Sequence, residues 1–333
     1  MHKGDYQMKL KRFIGIALFL SICLAGKLEF ERFTIDDGLS QNTVYKVFQD
    51  SRGYIWLGTQ GGLDRFNGYE FKHYEHESND STSIVNGWIR AINEDQDGII
   101  WIGTVDGNFG WFDPYDEIGG EIDLFEEHPE FERPSYIYDI LFHGNYIFLT
   151  TLGSGLCRYD RTNGSTLWYN EDSTSEHYIK DRVFTDMFSI SEDEILLGDR
   201  SLIILNTKTN KHSEPYNELL EEKLGLPFDS IKVSAITRGR NGELFIGTWS
   251  DHGLIILNEK DKSVSQHFPL PPDPTSGKVP RTMIGEIAVD RVGRLWMPLF
   301  LSLIHISAPT RLLSRADAGF CLKKKRGGGG GGG

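Results

Sequence analysis

The pattern closest to a metal site spans residues 93–100, with side-chain oxygens at alternate positions and Gly98 at the sixth. This spacing imitates the start of a calcium-binding loop. The twelfth position of such a loop needs a bidentate Glu, but Thr104 stands there and the residues before it read as a β-strand. The pattern is therefore interpreted as a turn between strands, and it predicts no metal site.

The other residue types that do chemistry form no recognisable set. His73 and His76 are three residues apart, a spacing that points them to opposite faces of a strand, so solvated side chains are expected rather than metal ligands. The 48 acidic residues are too numerous to single out a glycosidase pair. Neither a Gly-rich phosphate loop nor a nucleophile elbow is present in the sequence. We therefore predict no catalytic residues, no metal and no cofactor.

A short signature, an apolar residue followed by an aromatic or Leu, another apolar residue, Gly and Thr, recurs along the chain every 45 to 51 residues. Its copies, some of them partial, are Ile55–Thr59, Ile100–Thr104, Ile147–Thr151, Ile195–Asp199 and Leu244–Thr248, and a sixth begins at Leu295. A fixed period of this length with four short strands per unit is typical of a propeller. The prediction is an all-β fold, an incomplete β-propeller of about five four-stranded antiparallel blades and a truncated sixth, with helix nearly confined to the N-terminal leader.

The first complete unit shows how one blade is built. Val44–Phe48 alternates as a strand, and Asp50–Gly53 suits a type I turn in which the carboxylate accepts a local backbone N–H. Tyr54–Thr59 is apolar enough to be buried on both faces, and Leu63–Phe66 and Phe71–Tyr74 supply a third and an outer strand. Aromatic residues on the central strands are expected to pack between neighbouring blades.

Residues Asp50 to Phe66 resemble the two-component regulator propeller repeat, whose pattern is Asp-x-x-Gly-x-aromatic-apolar-Gly-Thr followed by Gly-Leu-x-Arg-aromatic. Residues 95–112 and 241–257 match the pattern in part, and the resemblance spans about residues 28–300. The Asp50 turn also resembles the Asp-box of sialidases. That box places Gly two residues after Asp, and no arginine triad or Tyr/Glu pair is identifiable.

The resemblance implies a function. Such propellers, commonly two in tandem, form the periplasmic sensor of hybrid histidine kinases that control glycan-utilisation genes in Bacteroides-type bacteria. The chain is therefore expected to be a non-enzymatic fragment of a hybrid sensor histidine kinase. It would bind an oligosaccharide or another small ligand and act as a homodimer at full length. The alternatives are a secreted propeller enzyme, a glycoside hydrolase or lyase, and a protein-interaction scaffold.

Propeller ligand sites usually lie at the mouth of the central channel and are built from loops between strands. Four loops follow equivalent strands and should share one face, namely 60–62, 105–108, 152–154 and 249–252. The candidate ligand-binding side chains in them are Gln60, Asp106, Asn108, Trp249 and His252. Four tryptophans outside the buried aromatic position could either stack on sugars or pack between blades; they are Trp88, Trp111, Trp168 and Trp249.

The chain carries a formal charge of −13, and its basic residues are concentrated near the two ends. An acidic field repels phosphate backbones, so nucleic-acid binding is not expected. The three cysteines are Cys23, Cys157 and Cys321, which allow no disulfide or Cys-based metal site to be read. Cys157 is expected to be a buried apolar residue.

The N-terminus reads as a signal peptide over residues 1–26. Lys9, Lys11 and Arg12 form a basic region before an apolar stretch that ends at a plausible cut after Ala25. The chain is therefore expected to be exported and to form the periplasmic sensor region of an inner-membrane protein. The only contact with the membrane would be through a segment downstream of this chain.

The C-terminal residues 301–333 are expected to be artefactual. Leu301–Arg311 resembles a translated sequencing adapter, Lys323–Lys325 fits poly-A, and Gly327–Gly333 fits poly-G. The propeller, residues 28–300, should then be an open ring, and the tail should be disordered. The strand Phe30–Phe33 should belong to a blade at the missing far end and lack its partners.

Overall fold

A computed structural model describes residues 30–126, 128, 133–171, 175–180, 183–225, 232–249, 252–268, 284–290, 293–299, 302–306, 312–315 and 320–323. The chain divides into two compact units, residues 34–319 and a second unit of residues 1–33 and 320–333. The larger unit is built from four-stranded antiparallel sheets, so the predicted all-β propeller fold is confirmed. The predicted signal peptide lies outside the described residues.

In each sheet the four strands follow one another in chain order. Blades 1 to 3 comprise β2–β5 (Val44–Gln49, Ile55–Thr59, Gly62–Phe66, Phe71–Tyr74), β6–β9 (Ile89–Glu94, Ile100–Thr104, Phe109–Asp113, Ile118–Ile122) and β10–β13 (Ile137–His143, Tyr146–Thr151, Leu156–Asp160, Thr166–Tyr169). Blades 4 to 6 comprise β14–β17 (Asp186–Ser189, Glu194–Gly198, Leu202–Asn206, His212–Ser213), β18–β21 (Val233–Arg238, Glu243–Thr248, Leu254–Asn258, Ser263–Phe268) and β22–β25 (Ala288–Val289, Leu295–Leu299, Ser302–Ile306, Leu312–Arg315).

The sixth blade differs from the expectation. Ser302–Ile306 and Leu312–Arg315 lie in the segment expected to be disordered, yet they pair as its third and fourth strands. The physical reason is that Leu303, Ile304 and Ile306 give this segment strand-forming side chains that can extend the hairpin from β23. The adapter-like origin of residues 301–333 stays a prediction.

The smaller unit contains one described sheet. β1 (Phe30–Phe33) pairs antiparallel with β26 (Phe320–Lys323), in a register that places Phe30 opposite Lys323 and Phe33 opposite Phe320. The strand predicted to lack a partner therefore has one, because the chain offers a second short apolar segment at its other end.

One α-helix was not predicted from the repeat. α1 (Asn217–Leu224) follows blade 4, and Leu220 is fully buried in the core between blades 4 and 5. Its sequence is rich in Leu, Glu and Lys, which favour helix, and Gly225 ends it in the left-handed conformation at φ 69°. Within the described part of the chain, no helix has the length and apolarity needed to cross a membrane.

The hydrophobic core lies between blades rather than inside them, in five buried clusters, one at each junction of successive blades. The Gly of the repeat signature lies where the next blade approaches closely. A Cβ at Gly58 would lie 2.8 Å from Ile89 Cγ2, and one at Gly103 would lie 2.5 Å from Ile137 Cγ2. The signature therefore needs Gly because a branched side chain of the next blade fills the space.

The first strands of successive blades contact one another from β2 to β22. Lys46 in β2 also forms an ion pair with Glu286, two residues before β22. Blades 1 and 6 therefore both contribute to one central channel. The open ring stays a prediction.

A buried clamp holds the turn that enters the second strand. In blade 1, Asp50 Oδ1 accepts hydrogen bonds from the backbone N–H groups of Arg52 and Tyr54, and Oδ2 accepts one from the Trp56 indole at 2.8 Å. Asp95 and Trp101 repeat this clamp in blade 2. The predicted turn with its carboxylate cap is confirmed, and the indole bond explains why Trp follows Asp at this spacing.

We expect Gly103→Ala to destabilise the propeller by about 1–3 kcal/mol, because the new Cβ overpacks against Ile137. Urea denaturation measures the effect. Gly61→Ala is the matched control, since its nearest neighbour would be Ser40 Oγ at 3.6 Å. Ile137→Ala leaves a cavity of its own but removes the crowding, so the double variant should lose less stability than the sum of the two single losses. Equal stability of the two single variants would show that close approach is not the constraint.

We expect Trp56→Phe to lower the free energy of unfolding by about 1–3 kcal/mol more than Trp101→Phe. Both substitutions remove an indole donor and a similar volume. Asp95 Oδ2 keeps the Arg161 guanidinium at 2.8 Å, whereas Asp50 Oδ2 is left buried without a side-chain partner. Chemical denaturation of the two variants measures the difference, and equal losses would contradict the clamp.

Candidate functional site

The central channel is lined by the first strands of the blades, which begin with an irregularity. In blades 1, 2, 3 and 5 the pairing with the second strand slips by one residue, as in a β-bulge. A bulge re-aims side chains and is common beside functional sites. The residues at the slip are Tyr45, Arg90, Tyr138 and Ser234, and Thr185 and Gly285 take the same place in blades 4 and 6. We call these six residues the first ring.

The next residue of each blade forms a second ring: Lys46, Ala91, Asp139, Asp186, Ala235 and Glu286. All but Ala91 of the twelve ring residues line one cavity of about 320 Å³, which Trp249 also lines. This volume is at the low end for small-molecule sites, which span roughly 300–1,000 Å³. The cavity suits a ligand of one or two sugar rings.

The second ring concentrates charge. Lys46 pairs with Glu286, while Asp139 and Asp186 hydrogen-bond to each other. Burial tends to lower the pKa of Lys46, but the surrounding carboxylates of Glu286, Asp139 and Asp186 outweigh it and raise the pKa. Burial raises the pKa of both aspartates, strongly for Asp186 because Asp139 adds repulsion. The two carboxyl groups therefore share a proton, and Asp186 also accepts from the backbone N–H of Ile236.

The first ring is asymmetric. On blades 1 to 3 it presents a guanidinium between two phenol rings, with Arg90 Cζ 5.7 Å from the Tyr45 centroid and 5.2 Å from that of Tyr138. On blades 4 to 6 it presents Thr185, Ser234 and Gly285, all small. A ligand therefore has most room on the small-residue side, facing the cation and the aromatic rings.

The loops after the second strands are fixed by the Thr of the repeat signature. Thr59, Thr151 and Thr248 are fully buried, and each Oγ1 donates to a carbonyl across its loop, at 2.7 to 3.0 Å. The backbone N–H groups of Val105 and Trp249 donate hydrogen bonds to backbone carbonyls of the residues that precede the first strand of the same blade. These loops therefore lie on the face where the first strands begin.

Of the five side chains predicted from the sequence, Trp249 lines the cavity and the other four do not. Gln60 and Asp106 are exposed. Asn108 Nδ2 donates to the Asn86 carbonyl at 2.9 Å, and the His252 carbonyl accepts from His267 at 2.7 Å. The structure thus does not gather the five into one site, and their role in ligand binding stays a prediction.

The tryptophans outside the signature divide into two kinds. Trp168 is buried and stacks on Phe125, and Trp111 packs over Gly120 of its own blade and against the core between blades 2 and 3, so both have packing roles. Trp88 is 40% exposed beside the first ring, and Trp249 lines the cavity. Trp88 also stacks on Tyr45 of the first ring. Across the described residues, no group of three His, Cys, Asp or Glu side chains is arranged to hold a metal ion.

The ring residues were missed from the sequence, although a signal exists. In blades 1, 2, 4 and 5 the first-ring residue stands 13 positions before the signature Gly, as Tyr45 does before Gly58 and Arg90 before Gly103. Aligning the repeats on that Gly would have shown a column of polar and aromatic residues within an apolar strand.

Comparison with known proteins agrees with the repeats. The family model of the two component regulator propeller matches residues 38–61 and 83–106, so the resemblance predicted from the sequence is confirmed. Over 69 residues the chain is 45% identical to Histidine kinase P4 from Formosa agariphila, a stretch that spans 20% of this chain and 5% of the kinase.

The fold is shared with solved propellers. The extracellular domain of the hybrid two component system BT3049 from B. thetaiotaomicron superimposes with a TM-score of 0.68 at 19% identity, over 87% of this chain and 37% of that one. Catalytically inactive virginiamycin B lyase from Staphylococcus aureus, with quinupristin, gives a TM-score of 0.63 at 14% identity, over 87% and 88%. The chain thus spans well under two thirds of the two-component relatives it matches.

We expect Asp186→Asn to become increasingly stabilising, relative to the unsubstituted protein, as pH rises above the ordinary aspartate pKa of about 4. The raised pKa means that the folded chain keeps a proton that the unfolded chain has lost, so the free energy of unfolding falls with pH above that value. Asn cannot ionise and keeps the acceptor for Ile236 and a donor for Asp139. Thermal melting at a series of pH values measures the stability difference between the variant and the unsubstituted protein. Asp106→Asn, at an exposed residue, is the control. A difference that does not change with pH would contradict the shared proton.

Proposed function

We propose that this chain, which contains repeats of the two-component regulator propeller family, is the extracytoplasmic sensor propeller of a hybrid two-component system and binds a polysaccharide fragment in its channel. Its likeness to a histidine kinase and its propeller fold support the sensor role. The chain would be exported, and its signal would reach the cytoplasm through downstream segments of the full-length protein.

The observation that carries the proposal is the composition of the channel mouth. Tyr45, Tyr138 and Trp249 line the cavity, and Trp88 is exposed beside it. Rigid aromatic faces next to hydrogen-bonding groups suit a sugar, which presents both C–H faces and hydroxyls. Two cations and three carboxyls in the rings supply those hydrogen-bonding groups.

The charged groups of the second ring argue against glycoside hydrolysis. Retaining enzymes hold their two carboxyls about 5–5.5 Å apart and inverting enzymes about 6.5–9.5 Å apart. Asp139 and Asp186 hydrogen-bond to each other, which is too close for either geometry. Lys46 and Glu286 are also paired. This arrangement suits a binding site rather than hydrolytic catalysis.

Signal transfer would use the ring itself. A ligand between the first strands contacts several blades at once, so binding favours one arrangement of blades over another. In the full-length protein, which we propose to be a homodimer, that preference would change how the propellers or protomers pack. The change would pass through the membrane to the kinase.

We expect calorimetric titration of the purified chain with short neutral and acidic oligosaccharides to identify at least one that binds. Trp249→Ala should weaken that binding about tenfold by removing an aromatic face from the cavity. Tyr69→Ala is the control, because Tyr69 is 96% exposed and outside the cavity lining. The same mixtures, examined chromatographically, should show no cleavage.

Two results would overturn the proposal. Cleavage of a glycan that disappears on mutating a single Asp or Glu would identify an enzyme. Failure of every oligosaccharide to bind, with the chain folded by circular dichroism, would remove the glycan-sensor assignment.

A further inference from the structure

Arg90 is the exception among the half-buried arginines of the described residues. Arg161, Arg238 and Arg294 pair with Asp95, Glu259 and Asp290, Arg65 lies 3.9 Å from Glu117, and Arg158 donates to Asn210. Within the same part of the chain, Arg90 has neither a hydrogen-bond acceptor nor a carboxylate at ion-pair distance. A partly buried guanidinium without a partner loses hydration that nothing replaces.

Arg90 is nevertheless held in place. It lies in a stacked row across blades 1 to 3, in the order Trp88, Tyr45, Arg90, Tyr138 and Tyr136. Trp88 and Tyr45 stack at 6.2 Å with planes 11° apart, and Tyr136 and Tyr138 stack at 5.7 Å and 13°. The guanidinium sits between the two tyrosines, which favours a planar cation and restricts its rotamers. Fixing the side chain beforehand lowers the entropic cost of binding.

Arg90 lines the cavity with hydrogen-bonding capacity that the protein does not use. Its Nε is buried without a partner, and none of the described residues accepts a hydrogen bond from its guanidinium. Ser234, across the first ring, is 7% exposed and its Oγ also lacks a partner. Two groups with unused hydrogen-bonding capacity therefore flank the same space. Burial raises the pKa of Tyr138, against the effect of Arg90, so its hydroxyl stays protonated.

The other charges of the channel leave Arg90 as the cation open to a ligand. Lys46 is paired with Glu286 and neighbours the two aspartates. Asp199 acts on the Tyr138 hydroxyl only through its charge, and no ion pair joins it to Arg90 in the described part of the chain. An anionic ligand would thus find one positive group whose charge is not already matched.

We propose that Arg90 binds the carboxylate of an acidic sugar, so that the channel recognises a uronate-containing fragment. The guanidinium presents a planar fork that matches a carboxylate with two parallel charge-assisted hydrogen bonds. The sugar ring lies on the small-residue side of the first ring, within reach of Ser234. This inference rests on the proposed function, since it names the class of glycan that the same site takes.

Titration calorimetry with methyl β-D-glucuronide and methyl β-D-glucoside tests the inference, because the two probes differ only at C6. We expect the glucuronide to bind at least about tenfold more tightly. Arg90→Gln should remove that preference, so that the two probes bind with equal affinity. Arg90→Lys, which keeps the charge but not the fork, should retain part of it.

Arg52→Gln is the matched control, since Arg52 is exposed in the turn between β2 and β3 and does not line the cavity. Melting curves establish that each variant folds. Equal affinity for both probes, or a preference that survives Arg90→Gln, overturns the inference. If neither probe binds while neutral oligosaccharides do, the inference fails and the proposed function stands. If no oligosaccharide binds, both fail.

Discussion

Four of the five junctions between blades depend on one steric constraint, the approach of a blade to the signature glycine of the blade before it. Gly198 and Gly247 leave room for Val233 and Ile284, as Gly58 and Gly103 do for Ile89 and Ile137 in the first two junctions. Each of these side chains comes from the residue just before the first ring. The contact that fixes the spacing between blades therefore also fixes where the channel-lining side chains begin.

The repeat signature combines three separate physical requirements. Gly permits the approach of blades, Thr ties the following loop, and the Asp–Trp pair closes the preceding turn. Blade 5 shows how tightly the last two are linked. It has Phe245, which lacks an indole donor, and Gly239 in place of Asp, where a Cβ would lie only 2.5 Å from the Phe245 ring. Losing the donor and losing the carboxylate go together, because either alone would leave a buried group unsatisfied or crowded.

Period and signature sufficed to predict the blades, because packing between sheets imposes the same residues at every junction. The channel could not be predicted in the same way. The first-ring residue changes from blade to blade: Tyr occurs in two blades, as Tyr45 and Tyr138, and Arg in one, as Arg90. Repetition of the sequence therefore does not reveal these positions. Their meeting depends on a one-residue slip in strand pairing, which the apolar pattern around Val44 or Ile89 does not signal.

The pairing of Ser302–Ile306 was missed for another reason. The resemblance of this segment to non-biological sequence argued against a folded structure, whereas its apolar residues can extend any open hairpin.

This separation of roles explains how one scaffold can present different channels. The second strands of blades 1 and 2 carry the complete signature and are buried almost throughout, so few substitutions are tolerated there. The two ring positions of the first strand line the channel instead. Residues as small as Gly285 and as large as Tyr138 fit there without changing the contacts between blades. Chemical variety is thereby concentrated in two ring positions of the first strand, whose places are set by the packing of the repeat signature. A ligand that orders those side chains would act on the first strands through the same contacts that join successive blades, which is what a sensor needs if binding in its centre is to alter the arrangement of its blades.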